Sequence, residues 1–402
     1  MTNKQEIASI DKPVPVLYYI GLVSFILFFM EIELAWRYPT SIFKYISIIS
    51  LAMHLLTVMK EYKPIQLITL SALFILTLYV GYNAQQITLL CLSFFLIVGA
   101  KGMDLNAILH VHFLTGLILF LVTVIGCAMG LIENKVDNIS VDSMEMLGTS
   151  SSKRYSYGFA WSTDCAIHLS FVCLVYWLMK EGILKGLEIL IFTIAFIFCF
   201  QFVKARQASF IILMLIMTTF YLKYLWKRNL YPYKIILYLL VVSIPFFSII
   251  SMYATISYDN TDIFWIATDI LFSGRLRLGE DAITYYGVPW FGQYVQMIGG
   301  DANTLEYNYV DSSYVQAYLL WGIVLTTILI LVYFVISKKA YQRRDIPLLF
   351  AIFFAGLSSV TSQDLFQLYH CPFLIALLSN HQIHNTNNEK RRTETADFGI
   401  NS

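Results

Sequence analysis

Two pairs of basic residues sit where long apolar runs break. Lys204 and Arg206 fall in FQFVKARQASF, and Arg275 and Arg277 fall in LFSGRLRLGEDA, directly after Gly274. A charge placed at membrane depth costs roughly 2.5–3.5 kcal/mol for Arg or Lys at a helix centre. Near the interface the cost falls, because long side chains reach back to water. Anchoring a helix end accounts for Lys204. For Arg206 and Arg275 a ligand is the better reading: Arg206 lies on a tight turn, and Gly274 lets the backbone before Arg275 approach a bound group closely. Arginine presents a planar fork that grips phosphate oxygens in pairs, so the chemistry expected here is binding of a phosphate or diphosphate headgroup.

Acidic residues follow the same segments: Asp164, Glu280, Asp281, Asp301, Glu306 and Asp311. Asp311, in YVDSSYVQAYLLWG, reads equally as a helix cap and as a general base. Glu280 and Asp281 read as partners of the nearby arginines or as caps. His110, His112, His168 and His370 lie within apolar runs and read as satisfied intramembrane polar groups. No His, Asp or Glu spacing matches a metal site, and no glycine loop with Lys-Ser/Thr marks a nucleotide site. The expectation is therefore no metal and no cofactor. The six cysteines lie in apolar runs without CxxC spacing and read as small buried hydrophobes.

The elements that must position these residues are membrane helices. Of 402 residues, 58% are hydrophobic and 13% charged, and mean hydropathy is +0.67. Soluble domains average about 45–50% apolar and 25% charged residues. With 27 basic against 26 acidic residues there is no overall positive field for nucleic acid. Reading runs against the roughly 20 residues a span requires gives twelve: 14–30, 41–59, 64–80, 86–100, 107–129, 157–179, 184–203, 207–226, 232–256, 313–336, 346–360 and 365–380. The first run lacks a cleavage site and is kept as a helix. About two-thirds of the lysines and arginines fall on one side of this alternation, which puts both termini in the cytoplasm. The expected architecture is all-α: one transmembrane domain over 1–380, outer loops at about 130–156 and 257–312, and a disordered cytoplasmic tail from 381 to 402. The second loop, between helices 9 and 10, is rich in aromatics such as Tyr285, Trp290, Tyr294 and Tyr307, which predicts short interfacial helices rather than a tether.

At four of these stretches the chain resembles the Wzy-type polysaccharide polymerases of bacterial O-antigen, capsule and exopolysaccharide pathways, and more distantly the O-antigen ligases. RYSYGFAWSTD (154–164) looks like the family's Arg-x-Ser-x-Gly-Phe segment, with Trp161, Ser162 and Thr163 where the family continues with His-Pro-Asn. KARQASF (204–210) looks like a Ser-Arg-Gly/Gln segment with Ala205 for the serine. GRLRLGEDAITYYG (274–287) looks like the Gly-Arg segment opening the large outer loop, and YVDSSYVQAYLLWG (309–322) like the Asp-Asn-Ser-Tyr segment closing it, with Ser312 for the asparagine. The resemblance covers the second half of the chain.

What the resemblance implies is a metal-independent glycosyltransferase at the outer face of the bacterial cytoplasmic membrane. It would move a growing glycan from undecaprenyl diphosphate to a lipid-linked repeat unit, alongside a chain-length regulator and a flippase. In that reading Arg206 and Arg275 hold the diphosphate, and Asp311 is the base or sugar-hydroxyl acceptor. Arg154, Lys204, Arg277, Glu280 and Tyr314 complete the substrate-binding set. The alternatives are an O-antigen ligase-like transferase, with a different acceptor, and a polysaccharide flippase or transporter. A flippase requires charge lining a cavity from both sides, whereas here most intramembrane charge falls on one face.

Overall fold

A computed structural model describes residues 16–138, 153–228, 230–299 and 309–381. The expected tail and most of the first long loop lie outside them, as do Asp301, Glu306 and Tyr307. The described chain is helical: α1 (Val16–Met30), α2 (Thr40–Val58), α3 (Pro64–Asn83), α4 (Ile87–Gly99), α5 (Leu105–Ala128), α6 (Ser162–Met179), α7 (Gly186–Ile197), α8 (Arg206–Lys227), α9 (Lys234–Val241), α10 (Ser243–Ile256), α11 (Ile263–Leu271), α12 (Arg275–Tyr286), α13 (Ser313–Arg343) and α14 (Ile346–Ser358). A π-helical turn, Phe198–Val203, extends α7. Among the described residues, eight helices are long and apolar enough to cross a membrane, or nine if α9 and α10, bent by 58°, form one broken span. Hydrophobic residues such as Ile68, Ile194, Ile249 and Leu187 lie exposed on the outer surface of the bundle, the expected partner being lipid.

Three of the expected twelve spans take a different form. The α4 and α14 helices have 13 residues each, about 20 Å at 1.5 Å per residue, short of the ~30 Å bilayer core. The expected span at 365–380 is not an α-helix: it runs as turns into a 3-10 segment, Pro372–Leu377. Pro372 lacks the N–H a helix needs and disfavours helical backbone before it. The path back is nevertheless present. Asp345 caps α14 through Leu348 N–H at 3.1 Å, and His381, at the end of the described path, bonds to the same Asp345. Asn380 meanwhile accepts from Leu105 N–H and donates to Met103 O, beside the start of α5. The chain thus enters at Asp345, turns at 358–371 and returns to where it entered.

The all-α expectation also has one exception. Val136–Asn138 (β1) and Lys153–Tyr155 (β2) form a two-stranded antiparallel ribbon, with Asp137 opposite Arg154. It closes the ends of the first long loop. The second expected loop holds two short helices, α11 and α12. They are positioned by Asp269, missed in the sequence, whose Oδ1 accepts from Leu276 N–H (2.9 Å) and Arg277 N–H (3.2 Å) at the start of α12.

Gly322 interrupts α13 at φ 78°, ψ 176°. The stretch beyond it, 323–343, is about 30 Å long, the thickness of a bilayer core. The turn before it, 313–321, packs the loop 289–293 against the break: Ile323 N–H donates to Pro289 O (2.9 Å), Val324 N–H to Trp290 O (3.1 Å) and Gln293 N–H to Leu320 O (3.0 Å).

Candidate functional site

The segment 358–371 is irregular backbone at the end of a short helix, so its polar groups must be met by neighbours. Those neighbours are the stretches that carry the sequence motifs. From the start of α8, Gln207 Nε2 donates to Ser358 O (2.5 Å) and Ser358 Oγ (3.0 Å). From the start of α13, Ser313 N–H lies 3.0 Å from Ser359 O and 2.9 Å from Ser362 O, while Ser313 Oγ donates to Ser362 O at 2.6 Å. Gln363 Oε1 accepts from Tyr309 (2.5 Å) and Gln316 (3.0 Å). The helix starts bearing Arg206 and Asp311 therefore meet on one five-residue turn, 358–362, although nothing in the sequence links them to it.

Asp311 does not cap α13. The residue before the helix is Ser312, and it makes no side-chain cap bond. Asp311 instead pairs across the site with Arg275, Nε to Oδ2 at 3.0 Å, both side chains about a quarter exposed (21% and 26%). Burial pushes the Asp311 carboxyl above the ordinary aspartate range, and the Arg275 guanidinium pulls the other way without overcoming it. Arg275 Nη1 also donates to Phe272 O (3.2 Å). No described residue takes Nη2, which leaves one side of the fork for a ligand.

Arg206 is exposed and makes no hydrogen bond or ion pair with any described residue. It opens α8, whose first turn holds no acidic residue. An arginine has the wrong sign for a helix N-terminus, which carries about half a positive charge. A mere anchor would gain nothing from that position, whereas an anion would meet both charges together. Lys204 sits in the left-handed region between the π turn and α8 (φ 58°) and donates to Lys153 O at 3.0 Å. This brings the ribbon strand with Arg154 beside the start of α8.

Other expected residues fall elsewhere. Tyr314 is wholly buried and its hydroxyl donates to Gly356 O (3.1 Å), so it packs α13 on α14 and is closed to a sugar. Glu280 accepts from Thr284 one turn along α12 (2.7 Å) and reaches no arginine among the described residues. Arg277 is exposed, its backbone held by Asp269. His112 Nε2 meets Leu368 O at 3.1 Å, and His168 Nε2 meets Gly116 O at 2.9 Å, while the buried His168 Nδ1 has no hydrogen-bond partner among the described residues.

Sequence spacing missed one cluster. Glu33, Asp364 and His370 bring their ligand-type atoms within 4.8 Å of one another. His370 Nε2 lies 2.8 Å from both Glu33 oxygens and 3.7 Å from Asp364 Oδ1. The usable signal was Glu33 and Asp364 themselves, acidic residues bordering apolar runs, where an ionisable group marks function by default. No family model matches this chain, nor does any curated protein or solved structure. Its function must be argued from the site alone.

Proposed function

We propose that the protein is a polysaccharide polymerase of the membrane. It would transfer a growing glycan from undecaprenyl diphosphate to a lipid-linked repeat unit at the outer face of a bacterial cytoplasmic membrane. The supporting observation is the convergence on 358–362: an arginine with no partner among the described residues, at a bare helix N-terminus, and an arginine–aspartate pair frame one polar turn at the end of a short helix. In this reading the Ser313 end of the bundle faces outward and both termini lie inside. The return path to Asp345 keeps the parity of twelve crossings even though the last is not an α-helix.

The chemistry follows from charge. The leaving group is a lipid diphosphate, so negative charge grows on its oxygens in the transition state. Fixed guanidiniums aimed there stabilise that charge with little reorganisation. Arg206 and the open side of Arg275 supply them, with Arg154 and Lys204 adding to the field. Asp311 takes the proton of the acceptor hydroxyl. An apolar cleft between Leu27, Trp36, Tyr38, Phe43 and Leu119 opens beside the α1–α2 connection and is suited to a prenyl chain.

Arg206→Ala is expected to shorten or abolish polymer while protein remains in the membrane at normal level, since the side chain has no described partner to lose. Polymer of full length from this variant removes Arg206 from the site.

The pH dependence has a definite sign. Asp311 serves as a base only when ionised, so activity is expected to fall as pH drops through a value above the ordinary aspartate pKa of about 3.9. Stability runs the other way for this group. Its folded pKa is raised, so its contribution is fully present below the unfolded value and is lost as pH rises through the folded one. Acid should therefore reduce polymerisation without unfolding the protein through Asp311. Parallel rate and melting profiles across pH would check this; an acid limb unchanged in Asp311→Asn would assign the base elsewhere.

A further inference from the structure

We infer that Glu33, Asp364 and His370 form a binding site for one divalent transition-metal ion, of the zinc or manganese class, stapling the α1–α2 connection to the 358–371 turn. This goes beyond the transferase reading and stands without it.

The first observation is the donor set. One imidazole nitrogen and two carboxylates lie within 4.8 Å of one another, and Glu33 stands 337 positions along the chain from His370. Glu33 is brought there by a 3-10 turn, Glu31–Glu33, at the end of α1. That turn is held to the start of the α6 connection by Ala160 N–H donating to Glu33 O at 2.7 Å. One nitrogen with carboxylate oxygens suits a borderline ion such as zinc or manganese rather than a soft one.

The second observation is an orphaned carboxylate oxygen. Asp364 is 2% exposed, its Oδ2 has no hydrogen-bond partner, and its Oδ1 stands 3.7 Å from His370 Nε2, too far for a hydrogen bond. A buried carboxylate oxygen without a partner is expensive, and no lysine or arginine among the described residues pairs with Asp364 or with Glu33.

Charge suits a divalent occupant. In the metal-binding form both carboxylates are ionised and the imidazole is neutral, so the donors together carry two negative charges. Protonating the imidazole leaves one uncancelled, whereas a divalent cation cancels both. Metal–ligand bonds of about 2.0–2.2 Å place tetrahedral donors roughly 3.3–3.6 Å apart. The 2.8 Å and 3.7 Å separations bracket that spacing, so side-chain shifts well under a methyl diameter would admit the ion. Cys371, next to His370 in the chain, is buried but does not belong to the cluster.

The test uses the full-length protein in detergent, stripped with chelator, exchanged against Zn2+ or Mn2+ and desalted. Elemental analysis is expected to find one equivalent per chain, and X-ray absorption of the zinc form one nitrogen and at least two oxygens in the first shell without sulfur. Glu33→Gln and Asp364→Asn, which keep shape and remove charge, should each lower metal affinity at least tenfold. Absence of tightly held metal in wild type, a sulfur-containing shell, or equal occupancy in both variants would overturn the site and leave a proton shared by His370 and its carboxylates. The absorption measurement needs no variant, so misfolding of either substitution does not leave the question open. Loss of metal with polymerisation intact would leave the ion structural, and failure of the polymerase reading would leave the metal result standing.

Discussion

Replacing Arg275 by alanine is expected to reduce polymer formation by about 10²–10³-fold, the cost of removing one preorganised donor to a developing oxyanion. Single lipid-linked repeats should accumulate in place of polymer. The effect should exceed that of Arg206→Ala, because Arg275 has two tasks. Its open side faces the proposed diphosphate, and its Nε stands 3.0 Å from Asp311 Oδ2. Removing it leaves the Asp311 carboxyl to the effect of burial alone, which raises its pKa further and withdraws the base as well. Lysine at this position keeps the charge but not the planar fork, so Arg275→Lys should recover little. A purely structural ion pair would behave differently: Arg275→Ala/Asp311→Asn would then restore both stability and polymer, since the unpaired charge is gone. In the catalytic reading the double variant regains stability alone. Full-length polymer from Arg275→Ala would sink the diphosphate assignment.

How much of this was legible in the sequence depends on distance along the chain. The helices were legible because a span is a local property: twenty apolar residues declare themselves wherever they occur. The positions of Arg206, Arg275 and Asp311 at element ends were legible for the same reason. Where local reading failed, a distant contact or one breaker residue had decided the outcome. The run at 365–380 is apolar enough for a span, but Pro372 interrupts it and the backbone there runs in turns, Gln367 N–H to Asp364 O and His370 N–H to Gln367 O, while the Gln363 side chain before it is taken by Tyr309 and Gln316. Tyr314 sits in the same motif as Asp311, yet Asp311 lies ahead of α13 and meets Arg275, whereas Tyr314 lies in the first turn of α13 and points into the core against Gly356. The Glu33–His370 contact spans 337 positions. No spacing rule reaches across that separation, and only the fold brings the two together.

The second large effect is expected at Gly322, through folding rather than chemistry. Its φ of 78° with ψ of 176° lies in a region essentially restricted to glycine. An added Cβ would stand 2.6 Å from Gly292 N, 2.7 Å from Pro289 O and 2.8 Å from Trp290 C, all backbone atoms that cannot swing aside. Gly322→Ala therefore carries the strain of a forbidden backbone, of order 1–3 kcal/mol, and separates the 289–293 loop from α13. That separation breaks the bonds from Ile323 N–H to Pro289 O and from Val324 N–H to Trp290 O. The alternative open to the chain is to continue α13 as a straight helix. This would redirect 313–321 and pull Ser313 from Ser359 and Ser362, and Asp311 from Arg275. The expected result is a lower melting temperature, proteolytic cleavage within 287–299, and loss of polymer even in molecules that remain in the membrane. An exposed glycine offers the control: Gly287→Ala is also strained, at φ 67°, but its Cβ meets nothing within 4 Å, so its cost should be strain alone, without loosening of the loop. Equal behaviour of the two variants would mean that the 289–293 contact does not hold the outer turn of α13 in place, and the geometry of Asp311 would then need another support.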